Sequence, residues 1–199
     1  MRLLLIRHPK PDVPDGTCYG RSDVPPEATH LESTIEALRA RWRASDRSAP
    51  HRVFSSPLQR CARVADALAG NGWPQPIFDH RIAEMDFGHW EGRPWAELPP
   101  EQMNAWRADI ARVAPPGGES LAQMATRVRA FADACLSDPL HPEAEVVVVT
   151  HVGVIQTMLR VLRNEPMLGF GKVQIDFGSI STLVRRDGSF EIESCSVAP

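Results

Sequence analysis

Leu3, Leu4, Leu5 and Ile6 form a continuous apolar run that stops abruptly at Arg7, His8 and Pro9. A run this short, with no polar alternation, predicts a parallel strand covered on both faces, and ligands of open α/β sheets bind beyond the carboxyl ends of such strands. Pro9 disfavours helical backbone at His8, so the extended conformation should persist up to the histidine. Residues 145–150 repeat the device: four consecutive valines lead to Thr150 and then to a second histidine, His151.

Between these strands the period changes. Leu31, Ile35, Leu38 and Trp42 recur at helical spacing over 28–44, which predicts an amphipathic covering helix. Residues 52–55 read as a short strand, followed by a helix from Pro57 to about Ala69, capped by Ser56 and ended by Gly70, with Arg60 in its first turn. A third short strand over 77–79 leads into a loop from Glu84 to Gly92. Helical patterns follow over 94–111 and 120–136, separated by Pro115, Pro116, Gly117 and Gly118, and another runs over 152–162. The chain closes with alternating strands at 173–177, 181–186 and 190–194, the last two joined by a turn at Asp187 and Gly188. The expectation is an α/β fold: a doubly wound, mostly parallel central sheet with an antiparallel edge hairpin and helices on both faces. Its 199 residues read as one globular unit with a roof over about 86–118.

Charge narrows the partners. A net charge of -3, from 22 basic and 25 acidic residues with signs interspersed, argues against a broad nucleic-acid footprint. Cys18, Cys61, Cys135 and Cys195 are widely spaced, which indicates neither a zinc site nor a redox pair and suits reduced thiols in a cytoplasm. The opening apolar stretch is too short for a signal peptide, and no later segment reads as a membrane span. The expected partner is a small phosphorylated metabolite, with the chain a monomer or a homodimer.

The candidate chemistry lies where the two central strands end. They would bring His8 and His151 to one sheet edge, with Arg7 beside them and Arg60 at a helix amino terminus, and guanidinium forks and helix-end amides both suit phosphate oxygens. A neutral imidazole can attack phosphorus, the arginines offset charge on the equatorial oxygens, and an acid must protonate the departing oxygen. Glu84 is the candidate acid, preferred to Asp86 and to Glu91, whose turn with Trp90 and Gly92 reads as structural. His30, His51, His80, His89 and His141 lack a motif and read as loop histidines, although His89 sits inside the acid loop. Trp42 and Trp73 read as packing residues. Trp90, Trp95 and Trp106 read first as core of the roof, and any one that faces the pocket would favour an apolar or aromatic leaving group.

Leu5, Ile6, Arg7, His8 resembles the opening motif of the histidine phosphatase superfamily, whose fold is shared by cofactor-dependent phosphoglycerate mutases and many small phosphatases. Ser55 to Arg60 resembles that family's second arginine motif. Glu84 to Phe87 with Gly88, Trp90, Glu91 and Gly92 resembles its acid loop, and Val149 to Gly153 its second histidine motif. The stretch from Pro116 to Ser120 is a supporting match. The resemblance implies His8 as the phosphorylated nucleophile, Arg7, Arg60 and His151 as the phosphate clamp, and Glu84 as the acid that later activates water. It implies no metal and no organic cofactor. The family's glycine after the nucleophile, and its hydroxyl residue and asparagine further on, are replaced by Pro9, Pro11 and Pro14. Because Tyr19 to Asp23 follows the family's pattern again, the prolines are expected to reshape the loop without abolishing the site, with Arg21 supplying an anion contact.

What the resemblance implies is a metal-independent phosphomonoesterase, closest in its acid loop to the α-ribazole phosphatase and fructose-2,6-bisphosphatase-like branch, with α-ribazole 5′-phosphate as a possible substrate. A phosphoglycerate mutase would use the same residues but need a basic pocket for the substrate carboxylate, and the arginines between Glu84 and Glu119 are only scattered. A catalytically silent phosphate-binding regulator is the third reading.

Overall fold

A computed structural model describes residues 1–45, 48–70, 72–136, 144–167, 169–170 and 173–199; His141 lies outside them. Six strands form one sheet: β1 (Arg2–Arg7), β2 (Arg52–Ser55), β3 (Ile77–Phe78), β4 (Glu145–Thr150), β5 (Ile180–Arg186) and β6 (Ser189–Val197). Their order is β3-β2-β4-β1-β5-β6. The pairs β3 with β2, β2 with β4 and β4 with β1 are parallel, while β1 with β5 and β5 with β6 are antiparallel. The sheet is therefore mostly parallel with an antiparallel edge hairpin, as the patterning predicts.

Because successive side chains of a strand point to opposite faces, the unbroken apolar runs of β1 and β4 supply two cores at once. Leu3 and Leu5, with Val146 and Val148, join one cluster. Helices α4 (Leu121–Leu136) and α5 (Val152–Val161) add Met124, Val128, Phe131 and Ile155 among others. Leu4 and Ile6, with Val147 and Val149, join the opposite cluster, which includes Leu38 of α1 (Ala28–Ala44) and Cys61, Val64 and Leu68 of α2 (Gln59–Ala69). Each buried aliphatic contributes on the order of 1.5–3 kcal/mol, so the two strands that deliver the histidines are firmly anchored on both faces of the sheet. Trp42 and Trp73 pack edge-to-face at 4.6 Å in the second cluster.

Local departures from the sequence reading have specific causes. Residues 173–177 form no strand. Their backbone is engaged by side chains instead: the Ile175 carbonyl accepts from Arg7 Nη1 and the Asp176 amide donates to Ser196 Oγ. The helix expected over 94–111 is reduced to a 3₁₀ turn at Trp95–Glu97 and α3 (Pro100–Ala108), because Pro99 and Pro100 break the run and re-enter the helix at its first position. Asp79 ends β3 and caps a 3₁₀ turn, its Oδ1 accepting from the Arg81 amide at 2.8 Å. The Asp187–Gly188 turn has φ of 48° and 85°, the left-handed pair that a two-residue hairpin requires. A third apolar cluster, of Cys18, Trp90, Leu98, Met103 and Trp106, builds the roof above the sheet's carboxyl edge. Among the described residues no helix is long and apolar enough to cross a membrane.

Candidate functional site

β1 and β4 are neighbours in register, Arg7 opposite Thr150, so His8 and His151 leave the sheet side by side. Their rings lie 5.0 Å apart and both are buried. The His8 amide donates to the Thr150 carbonyl at 2.9 Å, which carries the strand pairing up to the nucleophile position. His8 Nδ1 lies 2.7 Å from the Pro9 carbonyl. A carbonyl only accepts, so Nδ1 carries the proton and Nε2 of the neutral ring keeps its lone pair. Burial, then the positive charges of Arg60 and Arg7, holds the His8 pKa well below its ordinary value, despite the opposing bond to Pro9. His151 is lowered too, first by burial and then by Arg60, His8, Arg127 and Arg7. Both imidazoles are thus neutral near pH 7.

Arg60 projects from the first turn of α2 and is fully buried. Its two terminal nitrogens donate to the Ser22 and Gly20 carbonyls at 2.7 and 2.6 Å, leaving Nε buried with no protein partner. Arg7 is arranged similarly. One terminal nitrogen goes to the Ile175 carbonyl, its guanidinium carbon lies 3.6 Å from the Phe177 ring centroid, and its Nε is buried and unpartnered. Two guanidinium N–H groups without acceptors beside two neutral imidazoles amount to an anion site, since a buried charged donor is costly unless it is met.

Glu84 is buried at the mouth of this site, its Oε1 accepting from the Met85 amide at 2.9 Å and its Oε2 from the Gly153 amide in the first turn of α5 at 3.2 Å. Gly153 is required there, because a Cβ would stand 2.4 Å from Glu84 Oε1. Arg21 is turned away to the roof's edge, its guanidinium 3.6 Å from Asp86 Oδ2. The structure therefore gathers Arg7, His8, Arg60, Glu84 and His151, and commits Arg21 elsewhere.

Several residues at the site escape sequence reasoning. Ser56, read as a helix cap, accepts from the Leu58 amide at 3.3 Å and also meets His151 Nε2 at 2.8 Å. Asp23 takes over the first turn of α2, accepting from the Gln59 amide at 2.7 Å. Arg127 donates to the Ala83 and Glu84 carbonyls at 2.7 and 3.0 Å and pairs with Glu119, so it fixes the backbone that carries the acid. Its signal in the sequence is a charge at helical spacing among Met124, Val128 and Phe131. Glu91 is structural, as its turn predicts, but its partners are not legible in the sequence: it accepts from the amides of Arg21, Ser22 and Phe87 at 2.8, 2.6 and 3.0 Å and from the Ser22 hydroxyl. His30 Nδ1 accepts from the Lys10 amide at 2.7 Å, tying down the loop after the nucleophile. The thiol of Cys61, 3.5 Å from His151 Nε2, is raised by burial and stays protonated, so it is no rival nucleophile. Among the described residues no three His, Cys, Asp or Glu side chains form a metal-ligand group.

Beyond Glu84 the site opens into a cavity of about 340 Å³. Trp95 lines it, while Trp90 and Trp106 are buried in the roof behind.

Residues 3–197 match the family model of the histidine phosphatase superfamily, branch 1. The chain belongs to that superfamily. A bifunctional protein of Mycobacterium tuberculosis is 32% identical over 184 residues, covering 90% of this chain and 49% of that protein. The chain thus spans about half the length of that curated relative. Phosphoserine phosphatase 1 of Hydrogenobacter thermophilus is 29% identical over 189 residues, covering 92% of this chain and 86% of that enzyme. Among solved structures, the α-ribazole phosphatase of Shigella flexneri superposes with a TM-score of 0.85 at 25% identity, over 99% of this chain and 96% of that one. A histidine phosphatase fold with its parallel strands ending at the site accords with the sheet described above.

Proposed function

We propose that the chain is a metal-independent phosphomonoester hydrolase acting through a phosphohistidine at His8. The observation that carries this reading is the pairing of a nucleophile with an anion site: the Pro9 carbonyl fixes the His8 tautomer, and Arg7 and Arg60 each hold an unpartnered Nε–H beside it. In the first step His8 Nε2 attacks phosphorus, the bond to the ester oxygen breaks, and Glu84 gives its proton to the departing alcohol. In the second, the Glu84 carboxylate takes a proton from water, the water oxygen attacks phosphorus, and the P–N electron pair returns to Nε2. Arg7, Arg60 and His151 hold the equatorial oxygens throughout, and Ser56 orients His151. The net change is ester and water to alcohol and inorganic phosphate.

The substrate in this reading is a small phosphorylated metabolite, with α-ribazole 5′-phosphate one candidate. The four cysteines are all unpaired, three of them buried, which suits the cytoplasm. The test is phosphate release from p-nitrophenyl phosphate and α-ribazole 5′-phosphate in the presence of EDTA. Turnover should survive EDTA, and His8→Ala should lower it by about 10³-fold or more. EDTA-sensitive turnover, or a folded His8→Ala variant with native rates, would overturn the proposal. Transfer of the phosphoryl group between two hydroxyls of 3-phosphoglycerate without phosphate release would make the chain a mutase.

A further inference from the structure

The cavity beyond Glu84 carries a further inference, which rests on the phosphatase reading and concerns what is attached to the phosphate. Its wall is formed largely by Tyr19, Phe87, Trp95, Phe170 and Val152. Phe87 and Trp95 meet edge-to-face at 5.1 Å, and Trp95 is backed by the stacked ring of Trp106, 6.2 Å behind it. Trp95 is thus held as a wall rather than free to swing. Among the described lining residues none is cationic, and the acidic one, Glu84, opposes any second anion.

Three arginines of the surrounding loops are committed elsewhere. Arg21 pairs with Asp86, Arg93 Nη2 donates to the Glu97 carbonyl at 2.8 Å, and Arg112 pairs with Asp109. Gln156 supplies a polar side chain, and its amide nitrogen donates to the Val173 carbonyl at 2.8 Å. A cavity of about 150 Å³ is enough to hold benzene, so about 340 Å³ leaves room for a bicyclic aromatic group.

We infer that this vestibule selects phosphomonoesters of uncharged alcohols bearing an aromatic or similarly flat apolar group, and that Trp95 is a specificity-determining residue. Esters whose alcohol half carries a carboxylate are disfavoured, because no cation among the described wall residues repays its desolvation.

The test compares kcat/KM for four esters of aliphatic alcohols: 2-phenylethyl phosphate, ethyl phosphate, O-phosphoserine and 3-phosphoglycerate. The expected order puts 2-phenylethyl phosphate above ethyl phosphate by ten- to a hundredfold, the range expected from burying and stacking one ring, with the two carboxylates lowest. Trp95→Ala should shrink the phenylethyl-to-ethyl ratio several-fold, and Trp95→Phe should restore part of it. Equal or faster hydrolysis of O-phosphoserine or 3-phosphoglycerate would overturn the inference while leaving the phosphatase reading intact. So would a phenylethyl-to-ethyl ratio that Trp95→Ala does not change. Absence of phosphate release from all four esters and also from p-nitrophenyl phosphate and α-ribazole 5′-phosphate would overturn both.

Discussion

A few atoms decide the chemistry at the residue scale. Pro9 replaces the glycine usual in the family, and its role here is borne by its carbonyl, which receives His8 Nδ1–H; any residue there would supply that acceptor, while the proline ring restricts φ at this position. Gly153 is less replaceable. Its amide and its missing side chain both face Glu84, one as a donor at 3.2 Å, the other as the space a Cβ would fill at 2.4 Å from Oε1. Gly153→Ala should displace the carboxyl group without disturbing α5, whose backbone accepts alanine readily. If Glu84 protonates the leaving oxygen, the loss falls on esters of poorly leaving alcohols. Turnover of ethyl phosphate should drop by about 10- to 100-fold, a part of the usual worth of a general acid, whereas p-nitrophenyl phosphate, whose phenolate departs unaided, should lose much less. Equal losses on both esters would remove Glu84 from the role of acid.

The loop of residues 19–23 governs the site at the scale of elements, and Glu91 governs the loop. One carboxylate gathers three amides and a hydroxyl, binding this loop to the acid loop through Phe87, so the Gly20 and Ser22 carbonyls stand where Arg60 needs them. Glu91→Ala should destabilise the chain by about 2–4 kcal/mol, from several charge-assisted bonds lost together, and weaken competitive inhibition by inorganic phosphate. Denaturant unfolding and phosphate inhibition read the two effects, and Glu91→Gln should fall between. Unchanged phosphate inhibition in the alanine variant would mean that Arg60 holds its place without the loop. The same elements show how far the sequence was legible. β1 and β4 announce themselves because a run buried on both faces must be apolar throughout, and the residues that follow them inherit their position. The clasp made by Glu91 and the buttress made by Arg127 depend on backbone groups distant in sequence, and no local pattern encodes a donor that lies 70 residues away, as the Arg21 amide does from Glu91. Residues 173–177 fail for a related reason: their alternation is that of a strand, yet Arg7 and Ser196 claim the backbone groups a neighbouring strand would have used.

At the scale of the whole molecule, the site sets how stability responds to pH. His8 and His151 are both fully enclosed, and burial, with the arginine charges added to it, lowers both pKa values well below the ordinary one. In the unfolded chain these imidazoles bind protons as pH falls through about 6.5, while in the folded chain they remain neutral. The unfolded state then holds more protons than the native state, so acidification favours unfolding. Above about pH 7 neither state is protonated and the two groups impose no slope. Below about pH 6 each contributes about 1.4 kcal/mol per pH unit, and together they should remove about 2–3 kcal/mol of stability for each unit of acidification until the native rings themselves titrate. Urea unfolding at a series of pH values between 7.5 and 5 measures the slope directly. His151→Asn should reduce it by about one unit of proton uptake, since an asparagine titrates in neither state. Flat stability across this range would show that the buried histidines titrate in the native protein as they do in the unfolded chain. Stability that rises as pH falls from 7.5 toward 6 would show that they already carry protons at neutral pH. His8 Nε2 would then have no lone pair to offer, and the guanidinium groups around it would serve to bind phosphate without attacking it.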